Sequence, residues 1–137
     1  ETLRQVGHEF GATTGRPRRC GWFDAVAGRY ACMVDGVNKL AVTKLDVLDS
    51  FDKIGVCVAY EIDGERVERF PIGVKLAKAK PIYEYLPGFH CDISGCRKVS
   101  DLPKEALDYV HYLEGAVGCR IKYVSVGPDR DAYIKMF

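Results

Sequence analysis

Three short polar segments hold the residue types that ligand chemistry asks for. The first is Thr13-Thr14-Gly15-Arg16-Pro17-Arg18-Arg19. Threonine hydroxyls and loop N–H groups donate to anionic oxygens, Gly15 lets backbone approach closely, and guanidinium forks grip a carboxylate or phosphate through two parallel hydrogen bonds. Three arginines within four residues also repel one another, so an ordered loop of this kind gains from an anionic partner. The plainer alternative is a solvated basic turn. The second segment is Thr43-Lys44-Leu45-Asp46, at the end of an apolar run. A carboxylate at Asp46 matches the adjacent N1–H and N2–H donors of guanine, a pair that adenine lacks, and the Lys44 stem can cover one face of a base. A surface lysine followed by a capping aspartate would look the same. The third, Ser125-Val126-Gly127-Pro128-Asp129-Arg130, again follows an apolar strand. Its hydroxyl and backbone N–H groups suit the O6 of guanine, though a simple turn needs no more than these residues. Both the second and third segments follow strands, so they are expected to meet at one sheet edge, where α/β proteins commonly bind ligands.

Other reactive side chains form no comparable pattern. His8, His90 and His111 are far apart in sequence, and no serine or cysteine pairs with any of them as a nucleophile. His90, Cys91 and Cys96 fall short of a zinc ligand set, which needs a fourth donor and a second matched pair. Asp46, Asp49 and Asp52 read as an exposed acidic turn. The six cysteines sit mostly singly among apolar neighbours, the setting of reduced, buried thiols, which suggests a cytoplasmic protein. Gly15-Arg16-Pro17-Arg18 also resembles the core of an AT-hook, a minor-groove reader. Those cores lie in disordered basic tails, however, and here Gly21-Trp22-Phe23 runs straight into apolar sequence. A regulatory GTP-binding domain is a further alternative on Thr43–Asp46 alone.

The elements that must carry these segments are readable from periodicity. The 137 residues include 20 basic and 19 acidic side chains. That balance offers no global attraction to nucleic acid or to an anionic membrane, so any anion site is local. No apolar run approaches the roughly 20 residues needed to span a bilayer. Residues 10–21 are a loop. A helix is expected over Trp22–Val34, with Trp22, Val26, Tyr30 and Met33 on one face, and a short strand near Lys39–Leu45. Lys53–Ile62 reads as the most apolar strand, joined through Asp63-Gly64 to a second strand over Val67–Phe70. Residues 71–100, with three prolines, read as an irregular excursion holding short extended pieces. A second helix runs from Leu102-Pro103 to Gly118 with Ala106, Leu107, Val110, Leu113 and Val117 inward, and a last strand covers Ile121–Val126. Mixed strands with two main helices make an α/β layer arrangement. The chain opens on Glu1, not methionine, inside what reads as an element, and is expected to be a fragment.

In order along the chain, the blocks from Glu9 to Asp24, Leu40 to Asp49, Cys57 to Tyr60, Pro81 to Glu84, Leu86 to Gly88 and Val126 to Arg130 resemble adenylosuccinate synthetase. The likeness covers essentially the whole chain. It implies a GTP-dependent ligase of AMP biosynthesis: GTP phosphorylates the 6-oxygen of IMP, and L-aspartate displaces that phosphate to give adenylosuccinate, GDP and phosphate. It implies a Mg²⁺-dependent cytoplasmic homodimer with a P-loop-like α/β fold. On this resemblance Ala12, Thr13, Thr14, Gly15, Arg16, Pro17 and Arg18 match the aspartate-binding loop. Thr14 and Arg16 would hold carboxylate, Arg16 would also lie near the IMP ribose, and Arg18 would lie between aspartate and GTP. Lys44, Leu45 and Asp46 match the guanine readers, and Ser125, Val126 and Gly127 the backbone wall of that pocket. The family's Gly-rich phosphate loop, catalytic aspartate and histidine, and Mg²⁺ ligand belong to its N-terminal part, and no such loop occurs here. The resemblance therefore makes residues 1–137 a C-terminal portion, inactive alone.

Overall fold

The most apolar stretch of the sequence is the longest strand. The computed structural model describes residues 1–137. In chain order it contains α1 (Thr2–Val6), β1 (Phe23–Asp24), α2 (Ala25–Val34), β2 (Leu40–Val42), β3 (Lys53–Ile62), β4 (Glu65–Val67), α3 (Val74–Lys78), β5 (Lys80–Pro87), α4 (Lys104–Val117), β6 (Ile121–Ser125) and β7 (Tyr133–Lys135). Two 3₁₀ turns, Leu45–Leu48 and Val99–Asp101, lie between them. β3 pairs antiparallel with β5 along one edge, while β1, parallel, and β4, antiparallel, share the other. A second sheet runs β2-β6-β7, with β2 and β6 parallel and β6 and β7 antiparallel. This is the mixed α/β arrangement expected from sequence.

Packing follows from which faces are apolar. Ile54 and Val56 of β3, the inner face of α4, and Ile121, Val124 and Ile134 of the second sheet join in one core, with no polar side chain buried in it. Helix α4 begins after Pro103, whose missing N–H is no loss at a helix start. It ends at Gly118, where φ is +69°, a left-handed value that suits glycine. Its buried residues are Ala106, Tyr109, Val110, Leu113 and Val117. Tyr109 thus joins the expected stripe, while Leu107 is only half-buried.

Several expectations need correction. The helix expected over Trp22–Val34 is α2 and starts at Ala25, because the Asp24 side chain accepts from the Ala27 N–H at 2.9 Å and caps it, leaving Phe23–Asp24 free to pair with β3. Trp22 lies on β3 instead, in the space that a side chain at Gly55 would occupy: a Cβ there would come within 2.6 Å of its ring. Met33 faces outward, 71% exposed. The stretch 71–100 is not irregular throughout, since β5 forms the longest ladder in the molecule despite Pro81 and Pro87. Pro87 stands at the last position of β5, where the ladder ends, and sequence alone over-weighted the prolines. The second strand of the hairpin is Glu65–Val67, leaving Phe70 outside it, and β7 follows the strand read as the last. The hairpin turn itself is as expected, with φ positive at both Asp63 and Gly64.

Candidate functional site

Parallel pairing of β2 with β6 brings two of the three polar segments together. Leu40, Ala41 and Val42 align with Ile121, Tyr123 and Val124, so Thr43–Asp46 and Ser125–Gly127 leave the same end of adjacent strands. The Ser125 hydroxyl accepts from the Lys44 backbone N–H at 3.0 Å, which ties the two exits directly. Lys44 takes a left-handed conformation (φ +62°), uncommon for a side chain with a Cβ. It turns the chain off the strand, so that Leu45 drops into the core as the first residue of the 3₁₀ turn and Asp46 follows within it. The Val126 side chain is buried and its N–H bonds the Ala132 carbonyl at 2.9 Å. This segment therefore offers the Ser125 hydroxyl and the backbone around Gly127 to a ligand, rather than the valine side chain.

Asp46 is the unusual group here. Its Oδ1 is shut off from solvent and has no hydrogen-bond donor. Burial pushes its carboxyl above the ordinary aspartate range, helped by the negative charge of Asp49. An acceptor left without donors is costly, and such orphans call for a ligand or a functional reason.

The arginine loop closes on itself. Phe10 and Pro17 bridge as antiparallel neighbours; the Gly11 N–H bonds the Arg16 carbonyl at 2.8 Å and the Gly15 N–H bonds the Gly11 carbonyl at 2.8 Å. Residues Ala12–Gly15 turn at the tip with Gly15 at φ +65°, and Thr13–Arg19 are exposed. Gly15-Arg16-Pro17-Arg18 forms the return arm of this loop, with Pro17 in the bridge to Phe10. Of the loop's three arginines only Arg18 is in an ion pair, with Glu9 at 3.0 Å. The other Glu9 oxygen accepts from Lys44 Nζ, which also donates to the Gly7 carbonyl at 2.7 Å. Hydrogen bonds from Lys44 and Arg18 hold the Glu9 carboxyl below its usual range.

The first and second segments consequently flank one cleft of about 350 Å³, lined in part by Glu9, Arg18, Arg19, Thr43 and Lys44. Thr13, Thr14 and Arg16 are not part of its lining, and neither is Asp46, although its neighbours Lys44 and Val47 are. Glu9 was not legible as a site residue. Its only signal was a negative charge opening the loop, 35 residues from the lysine it grips. No three of the chain's His, Cys, Asp and Glu side chains converge as a metal-ligand set.

Comparison with known proteins decides the family. The family model for adenylosuccinate synthetase matches residues 1–134. The chain belongs to the adenylosuccinate synthetase family. It is 52% identical over 135 residues to the adenylosuccinate synthetase of Aquifex aeolicus, covering 98% of this chain and 31% of that protein. Against that of Bifidobacterium longum subsp. infantis the identity is 53% over 137 residues, 99% of this chain and 32% of the relative. Its fold matches a solved structure, that of the fully ligated adenylosuccinate synthetase from Plasmodium falciparum, with a TM-score of 0.93 and 35% identity, covering 99% of this chain and 33% of that one. The chain thus spans about a third of the length of the curated relatives it matches. No helix in it is long and apolar enough to cross a membrane.

Proposed function

We propose that residues 1–137 are the C-terminal part of a ligase that joins IMP and L-aspartate at the expense of GTP, giving adenylosuccinate, GDP and phosphate on the way to AMP. The orphaned Oδ1 of Asp46, at the shared exit of β2 and β6, carries this reading. Guanine N1–H and N2–H are a donor pair suited to it. Placed there, the base would have the Lys44 stem along one face and the backbone at Ser125–Gly127 near its O6. Arg18 lines the cleft, and the exposed loop Ala12–Arg18 that leads to it would present N–H groups, hydroxyls and guanidinium forks to the carboxylates of aspartate, with Arg16 reaching the IMP ribose.

This reading needs more protein than the chain holds. A second, apolar cleft of about 340 Å³ opens between Phe23 of β1 and the residues Leu40–Val42 of β2, floored by α2 and α4. Each of those strands ends its sheet with an unpaired edge. Apolar surface and free parallel edges of this kind are covered in stable proteins. The remaining portion of the enzyme, N-terminal to this chain, is the occupant we assign, and it would bring the phosphate loop, the catalytic aspartate and histidine, and the Mg²⁺ ligands. Bound there, Mg²⁺ would neutralise phosphate charge. The intact protein would be a cytoplasmic homodimer, and the chain alone would not turn over.

The test is Asp46→Asn in the full-length enzyme, with GTP and ITP compared as substrates. Loss of the carboxylate should raise the KM for GTP tenfold to a hundredfold, on the order expected for a charged hydrogen bond, while ITP, which lacks the N2 donor, is affected less. Unchanged kinetics with both nucleotides would remove the guanine reading.

A further inference from the structure

Glu9 stands at the point where the two proposed halves of the site touch. One of its oxygens takes Lys44 Nζ and the other takes Arg18 Nη1, the second at 3.0 Å. Backbone contacts fix the same junction. The Arg18 N–H bonds the Glu9 carbonyl at 2.9 Å, Arg4 Nε bonds the Arg18 carbonyl at 2.8 Å, and Lys44 Nζ is shared with the Gly7 carbonyl. Glu9 is about three-quarters buried at its side chain, whereas Arg18 and Lys44 are about half exposed. The carboxylate is therefore the fixed member and the two cations the movable ones. A guanidinium has five N–H donors. Glu9 uses only the Nη1 end of Arg18, and the rest of its donors stay free for an incoming anion.

Resting on the function proposed above, we propose that Glu9 is a positioning residue that couples guanine-nucleotide binding at Lys44 to the carboxylate-binding loop at Arg18. Without Glu9, two like charges facing one cleft would repel and each would sample its rotamers independently. With it, a base that immobilises the Lys44 stem also fixes the carboxylate, and the carboxylate fixes Arg18. Linkage makes the effect reciprocal: aspartate bound at the loop must tighten guanine nucleotide by the same factor.

The experiment is a calorimetric titration of the full-length protein with GDP, in the presence and absence of saturating L-aspartate, for wild type, Glu9→Gln and Glu9→Asp. Wild type should bind GDP about fivefold or more tightly with aspartate present, the lower end of ordinary coupling. Glu9→Gln keeps the shape but loses the charge and should bring that ratio below about twofold. Glu9→Asp keeps the charge, is one methylene shorter, cannot span both cations, and should fall between. A merely structural role would lower both GDP affinities together and leave their ratio alone. Three results would overturn the inference: a wild-type ratio near one, a ratio preserved in Glu9→Gln, or, where Glu9→Gln does not fold, a ratio preserved in Glu9→Asp. Failure of the wild-type protein to bind GDP at all would instead overturn the functional reading beneath it.

Discussion

The two halves of the site are held in opposite ways. At the exit of β2 and β6, Leu45, Val124 and Val126 are buried within a few residues of Lys44, Asp46 and Ser125, so the core itself sets where the polar groups stand. The arginine loop has no such anchor, being exposed from Thr13 to Arg19 and closed by backbone hydrogen bonds and one ion pair. One half is positioned by packing and is rigid; the other is positioned by polar contacts and can answer to a ligand. On the function proposed above, selectivity for a flat base would need the first property, and gripping a small flexible dicarboxylate would suit the second.

The sharpest way to break this contrast is to damage each half in turn. Leu45→Ala removes a side chain that is 1% exposed, and should destabilise the full-length protein by about 2–5 kcal/mol in urea unfolding, the range for large-to-small core changes. Guanine-nucleotide affinity should fall with it, because the same residue seats Lys44 and Asp46. Arg16→Ala should do the reverse. Its side chain has no ion-pair partner and lies at the loop tip, so the urea midpoint should stay put while the KM for aspartate rises tenfold or more. A shift in stability without a shift in KM would show that Arg16 braces the fold rather than holding substrate.

The same contrast explains what could be read in advance. Thr43–Asp46 and Ser125–Gly127 were legible because each follows an apolar strand, and strand ends are where α/β sheets hold ligands. The loop was legible from glycine, proline and arginine content alone. Glu9 and the orphaned Oδ1 of Asp46 were not, since ion pairing across 35 residues and atomic burial exist only once the chain is folded. In the scaffold, β3 and α4 announced themselves by period and caps. β5 did not, because its prolines argue locally against a strand and only its pairing with β3 overrides them. The start of α2 was misplaced for a related reason: Asp24 could equally be an interior residue until its side chain is seen capping Ala27.

A smaller effect probes the loop's own stiffness. Pro17 sits opposite Phe10 in the bridge, and the flanking hydrogen bonds use the Arg16 carbonyl and the Arg18 N–H, so its missing donor costs nothing. Pro17→Ala should therefore act through the unfolded chain, lowering stability by about 0.4–1 kcal/mol, with a modest rise in the KM for aspartate as the loop loosens. An unchanged urea midpoint would mean that the closed turn is held by its hydrogen bonds alone.

The last effect is read as a sign rather than a size. Because burial raises the Asp46 carboxyl above its unfolded value, the folded protein holds that proton more tightly than the unfolded chain does. Stability contributed at this position therefore falls as pH rises from the ordinary aspartate value through the raised one, and stays low above it. Asp46→Asn carries no such charge. Its thermal midpoint should lie above that of wild type at neutral pH, with the gap closing as pH drops toward 3.8, the ordinary value. Glu9 works in the opposite direction, losing stability as pH falls, but it is present in both proteins and cancels from their difference. A variant that gains stability while losing guanine selectivity would mean that Asp46 is kept for the ligand at the fold's expense. A variant less stable than wild type at neutral pH would mean that the carboxylate has a partner within the protein, and that the rigid half of the site is built for structure first.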